Sequence, residues 1–257
     1  MSQQIYIHYD SVSNHILSSG IPFIFPQEDA SLIPKNILLL NGRSSLAVYD
    51  NFSGFPCIKG REKVQEFLTM QRHSLEAQPN WIDFESIDFL HQLIPQEIAD
   101  LLYISHAKNH LHSPFFYKLQ NNYINLSMDN NFTKVYYRKI DHFLLLLAQA
   151  LTEVMTELVN RQNRRFFFNK HIDLTPLNID VLKDLMPYLK EGIVIASQQA
   201  EVAEDTYYLP IFLAEDHYHY VPESYDADNK LGAVVYHADS DTWTLEMTEG
   251  PLVAYIS

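Results

Sequence analysis

The sequence predicts an α+β fold: antiparallel β-meanders packed on a long central helix, with a C-terminal mostly-β region. Three observations carry this. Strand-like and helix-like segments mix without the βαβα rhythm of a doubly wound parallel sheet. The stretch "KIDHFLLLLAQALTEVMTELVNRQ" repeats apolar residues at 3- and 4-residue spacing over about 20 residues, or roughly 30 Å of helix. After Gly192 the chain becomes a series of β-branched and aromatic runs divided by turn residues.

Each element follows from its local pattern. "IYIHYD" at 5–10 alternates apolar and polar residues and predicts a strand. "SGIPFIFPQEDASLIP" is broken by three prolines and predicts an irregular connection. "NILLLNG" and "SLAVYD" are short apolar runs ended by turn formers, hence strands, and "NFSGFPCIKG" reads as a loop. "REKVQEFLTMQRH" sets Val64, Phe67, Leu68 and Gln71 on one helical face. "EAQPNW" marks a break, followed by two helices in "FESIDFLHQL" and "PQEIADLLYISHAK", with Pro95 in a first turn that tolerates it.

The segment 114–139 holds three period-2 runs separated by "QNN" and "DNN", which predicts a three-strand antiparallel meander. In the long helix, Ile140, Phe143, Leu144, Leu147, Leu151, Val154, Met155 and Leu158 form the apolar stripe. Asp141 near its start and arginines after its end suit the helix dipole. "NIDVLKDLMPYLKEG" predicts another helix, capped by Asn178 and stopped by Gly192. "GIVIAS", "YYLPIFLA", "HYHYV", "GAVVYHA", "TWTLEMTE" and "LVAYIS" predict strands. Residues 1–200 are expected to form a mixed α+β core and 201–257 an acidic β-rich region, packed together as one globular unit.

Composition narrows the function. The chain has 257 residues and 47% apolar content, enough for a real core. Seven glycines leave little material for phosphate-cradling loops. One cysteine, Cys57, makes no internal disulfide and no cysteine-based zinc site. The first residues lack a signal-peptide pattern and the apolar run "FLLLLA" is too short to span a bilayer, so a cytoplasmic location and no membrane are expected.

The net charge of −14 is unevenly spread: residues 1–200 hold 20 acids against 17 bases, and residues 201–257 hold 12 acids against Lys230 alone. A field of −11 over the last fifth of the chain repels nucleic acid and attracts a basic protein. Asp226, Asp228, Asp239 and Asp241, in turn-like stretches, are the candidate partner-binding residues.

"EDHYHYVPE" is the one stretch that suggests metal chemistry. On a strand, His217 and His219 share a face, with Glu215 behind them and Glu223 four residues on. Two imidazoles and a carboxylate suit a divalent transition metal. The spacing His217-x-His219-x-x-x-Glu223 resembles the first metal motif of the cupin family. The resemblance spans seven residues: Ile211 and Lys230 stand where that motif has flanking glycines, and the 34 residues after Glu223 carry no second motif.

The remaining clusters read more simply. His106 and His110 are four apart, but the string His-Ala-Lys-Asn-His lacks the glutamate of a zinc protease, and His112 lies beyond. Cys57 shows no base beside it. "RQNRR", with Lys170 and His171, fits a helix C-terminus or a phosphate site. "DADNK" and "DSDTW" place Lys230 and Trp243 where a calcium loop needs an oxygen ligand. No Walker loop, dinucleotide fingerprint or Gly-x-Ser-x-Gly elbow is present. The first expectation is therefore a non-enzymatic binding protein without cofactor, an inhibitor, antitoxin-like factor or adaptor with an acidic surface. The alternative is a metal-dependent enzyme or metal-binding protein using the His217/His219 strand.

Overall fold

A computed structural model describes residues 4–72, 78–165, 171–214 and 227–248. In chain order the strands begin with β1 (Ile5–Asp10), β2 (His15–Ser19), β3 (Asn36–Leu39), β4 (Val48–Asp50), β5 (Phe55–Lys59) and β6 (Trp81–Phe84). Then come β7 (Tyr123–Ser127), β8 (Thr133–Tyr137), β9 (Ile193–Ile195), β10 (Glu201–Ala203), β11 (Thr206–Leu213), β12 (Lys230–His237) and β13 (Thr242–Met247). The helices are α1 (Arg61–Arg72), α2 (Ile87–Leu90), α3 (Pro95–Ala107), α4 (Ile140–Arg165), α5 (Ile179–Lys183) and α6 (Met186–Glu191). The class is α+β with antiparallel strands, a long helix and β-structure toward the C-terminus, as the sequence predicts.

The chain divides into two compact units. The first comprises Met1–Ser11, Ser18–Ile21 and Leu144–Ser257; the second comprises Val12–Leu17 and Pro22–Phe143. In the first unit the strands run in the order β1, β9, β11, β12, β13, and β10 pairs with β11. β11 and β12 are interior strands and are buried along nearly their whole length, which explains their continuous apolar runs. β13 alternates exposed and half-buried positions, the pattern of a strand with one wet face. Gly232 lets β12 and β13 approach: a Cβ there would lie 2.2 Å from the Glu246 carbonyl oxygen.

In the second unit the order is β8, β7, β6, β3, β5, β4. Its core gathers Leu38, Phe55, Ile82, Leu101, Ile124 and Tyr136 among others. A second aromatic group surrounds Phe23, which meets Phe25, Trp81 and Tyr123 edge-on at 5.4, 4.9 and 5.1 Å. Edge-on pairing places the positive ring edge against the negative face.

α4 is 26 residues long and buries Phe143, Leu144, Leu147, Leu151 and Met155, the stripe read from the sequence. Its Ile140–Gln162 stretch is long and apolar enough to cross a membrane by length and composition, and most of its most apolar window is buried. Two polar residues inside the helix hold the segment that follows it. Asn160 makes a reciprocal pair with the Ile172 backbone at 2.8 Å, and Thr152 Oγ accepts from Leu177 N at 3.0 Å. Asn178 caps α5 by accepting from Asp180 N at 2.9 Å, and Gly192 ends α6 at φ +88°.

Four local readings need correction. β5 forms in a stretch read as loop, and β6 starts at Trp81, the last residue of the expected break, and runs to Phe84. "PFFYKLQ" is a turn rather than the first strand of a three-strand meander, which leaves the β7–β8 hairpin. Gln120 N donates to Phe116 O at 3.0 Å, so Phe116 and Leu119 are buried at helical spacing and Tyr117 points to solvent. "NIDVLKDLMPYLKEG" folds as two short helices, because Pro187 is placed at the start of α6. "HYHYV" and "LVAYIS" lie outside the described residues.

Candidate functional site

The acidic stretch of the first unit is organised by strand register. Ala203 faces Thr206 across a two-residue turn of Glu204 and Asp205. Thr206 faces His237 on β12, and His237 faces Thr242 on β13 across a turn that holds Asp239 and Asp241. The two turns therefore share one end of the sheet, and Ala238 N donates to Asp205 O at 2.8 Å to join them. Glu204, Asp205, Asp239 and Asp241 gather there, all exposed. Lys230, the lone base of residues 201–257, sits at the other end of β12 and pairs with Glu201 at 3.4 Å.

This geometry separates the predicted partner-binding residues. Asp239 and Asp241 are at the turn end. Asp228 precedes β12, and that strand's length puts it about 20 Å or more from them. Asp226 lies outside the described residues. Glu204 and Asp205, which the sequence reading passed over, lie at the turn end with Asp239. A signal for them existed in "EDT" between two β-branched and aromatic runs, a two-residue hairpin.

Asp241 differs from its neighbours. Its carboxylate accepts from Thr175 Oγ at 2.6 Å, from Thr175 N at 3.1 Å and from Tyr236 OH at 2.8 Å. The Thr175 side-chain bond, with those from Tyr236 and the Thr175 backbone, holds its pKa below the usual carboxylate value. Trp243 Nε1 donates to Thr175 O at 2.8 Å and closes the knot. Asp241 is thus exposed but already engaged.

The proposed metal ligands His217, His219, Glu215 and Glu223 lie outside the described residues. His106 and His110 do not share a helical face, because Lys108 adopts φ +51° and ends α3 between them. His110 packs edge-on against Tyr136 at 5.3 Å, and burial and then Lys134 lower its pKa. His112 is exposed. Cys57 is fully buried, and burial followed by the Asp50 charge pushes its thiol up to about 11, which leaves no thiolate nucleophile at neutral pH.

No protein-family model, curated protein or solved structure matches this chain.

Two titratable sites in the second unit were not legible in the sequence. Asp50, buried on β4, accepts from the Ser53 backbone and hydroxyl at 2.8 Å each and pairs with His91 Nε2 at 2.9 Å. Burial opposes its ionisation, but those bonds and the His91 charge outweigh it and bring the carboxyl down to about 2. Asp83 on β6 is buried with no cation on it among the described residues and accepts from Asn122 N at 2.8 Å and Tyr123 N at 2.6 Å. Here burial prevails over the donors, and the carboxyl rises to about 7. Beside it, Tyr123 OH and His142 Nδ1 are 2.7 Å apart.

Proposed function

We propose that this chain is a non-enzymatic cytoplasmic protein-binding protein, an inhibitor, antitoxin-like factor or adaptor, that receives the basic face of a partner on the two acidic turns of its first unit. One observation carries this reading: Glu204, Asp205 and Asp239 occupy adjacent hairpin turns with Lys230 at the far end of the strand. An exposed cluster of one sign steers an oppositely charged partner and acts chiefly on the association rate. The buried, unpaired Cys57 suits a reducing compartment.

The test is quantitative capture with the full chain as bait, followed by binding kinetics on each captured partner. In the variant Glu204→Asn/Asp205→Asn/Asp239→Asn, basic partners should associate several-fold more slowly at low salt, with a smaller change in off-rate. Asparagine tolerates the left-handed backbone that Glu204 adopts at φ +55°. An unchanged partner set with unchanged salt dependence sinks the proposal. The metal reading forecasts something else: one equivalent of a divalent transition metal co-purifying with untagged protein and lost on His217→Ala/His219→Ala.

A further inference from the structure

The second unit carries an open cleft of about 560 Å³ lined by Lys35, Lys59, Arg61 and Lys63, with Glu62 the one carboxylate among its described lining residues. Four of the chain's 18 basic residues meet there in a protein of net charge −14. That concentration is local, because the rest of the molecule is correspondingly more acidic.

The fold builds the cleft at the junction of β3, β5 and α1. Asn36 faces Lys59 across the β3–β5 pair. Asn36 Nδ2 donates to the Phe84 and Glu85 carbonyls at 3.2 and 3.1 Å, and its Oδ1 accepts from Gly60 N at 3.2 Å. One side chain thus fixes the point where β5 turns into α1. Gly60 takes φ +94°, a conformation open to glycine, and turns the chain from β5 into α1, which packs Val64, Phe67 and Leu68 inward. Arg61 is anchored by neutral acceptors, with Nε on Ile33 O and Nη2 on Ser31 O, both at 3.1 Å. Those bonds orient the guanidinium without cancelling its charge. Lys35 is ion-paired with Glu85. Lys59 and Lys63 are exposed and pair with no carboxylate among the described residues. In α1 the amide of Val64 donates back to Gly60 O at 3.1 Å, and the amides before it have no acceptor within the helix.

We infer that this cleft binds a phosphate-bearing small molecule. Lysine is a point-charge phosphate binder, and a dianion is the ligand that rewards several cations converging on one concavity. The volume matches that of small-ligand sites. The recognition is by side-chain charge at a strand-to-helix junction, so it requires no glycine-rich loop. It is independent of the acidic turns, which belong to the other unit.

The experiment is calorimetric titration of the full chain with inorganic phosphate and with pyrophosphate at low salt, beside co-sedimentation with phosphoinositide vesicles. Saturable 1:1 binding of pyrophosphate is expected. Lys59→Met/Lys63→Met should weaken it at least about tenfold, having lost two charge contacts. Glu62→Gln should tighten it, which a merely structural role for these residues does not predict. Lys190→Met, an exposed lysine of the other unit, should leave it unchanged. Circular dichroism checks each variant, and the single variants Lys59→Gln and Lys63→Gln stand in should the double one misfold. Binding to vesicles alone, lost in the same variants, assigns the phosphate to a lipid headgroup. Absence of saturable binding to every probe, or equal weakening by Lys190→Met, overturns the inference.

Discussion

Asp241 and Thr175 stand 66 residues apart and are joined by two hydrogen bonds, 2.6 Å from the hydroxyl and 3.1 Å from the backbone amide. The contact pins the chain segment before α5 to the β12–β13 turn. Asp241→Ala should therefore lower stability by roughly 1 kcal/mol, the net worth of an intramolecular hydrogen bond. Asp241→Asn keeps one acceptor and should cost less, while Asp239→Asn should cost nothing measurable. Urea titration of the three variants checks the order.

Asp50 and His91 set the acid limb of stability. A carboxyl held at about 2 when folded, against 3.8 ordinarily, contributes stability that is present above pH 4 and lost as pH falls toward 2. Asp50→Asn should flatten the acid-unfolding curve in that window and lower stability at pH 7. His91→Ala should do the same to a smaller degree, because the Ser53 donors remain. Equal pH dependence in wild type and Asp50→Asn refutes this assignment.

Long-period features were legible in the sequence because one rule dominated each. The α4 stripe, the α1 face, the Asn178 cap and the interior strands β11 and β12 all follow from burial repeated along a single element. Features decided by distant partners were not. "PFFYKLQ" alternates like a strand, yet Asn121 Oδ1 takes the Phe116 amide at 2.8 Å and its amide group reaches Pro114 O at 3.1 Å, which closes a turn instead. The grouping of Glu204 and Asp205 with Asp239 depends on β11–β12 register, and the basic cleft depends on Lys35 meeting the "KGREK" segment through β3–β5 pairing. Neither register can be read from spacing within one run.

Leu147 lies at the centre of the α4 stripe and is fully buried. Leu147→Ala should destabilise by about 2 to 5 kcal/mol, the transfer cost of the lost methyl groups plus the cavity left behind. Leu158→Ala, at a half-buried position of the same helix, should cost clearly less. Equal losses at both positions, read by chemical denaturation, contradict the burial pattern.

Asp83 works in the direction opposite to Asp50. Burial first, against the weaker pull of the Asn122 and Tyr123 donors, raises its carboxyl from 3.8 to about 7. Between those values the folded chain binds a proton that the unfolded chain releases, so stability falls as pH rises from 4 to 7 and levels off above. Asp83→Asn retains an oxygen to accept the Asn122 and Tyr123 amides, both of which bond to the same Oδ1. Because the amide does not titrate, that variant should lose the decline and gain on wild type as pH rises from 5 to 8. Asp83→Leu removes the acceptor of the buried Tyr123 amide and the half-buried Asn122 amide, so it should be destabilised at every pH. Urea midpoints at pH 5 and pH 8 distinguish the cases. A wild-type protein more stable at pH 8 than at pH 5, with Asp83→Asn following in parallel, means that the ionised carboxylate is the preferred buried form and that its backbone donors outweigh its desolvation.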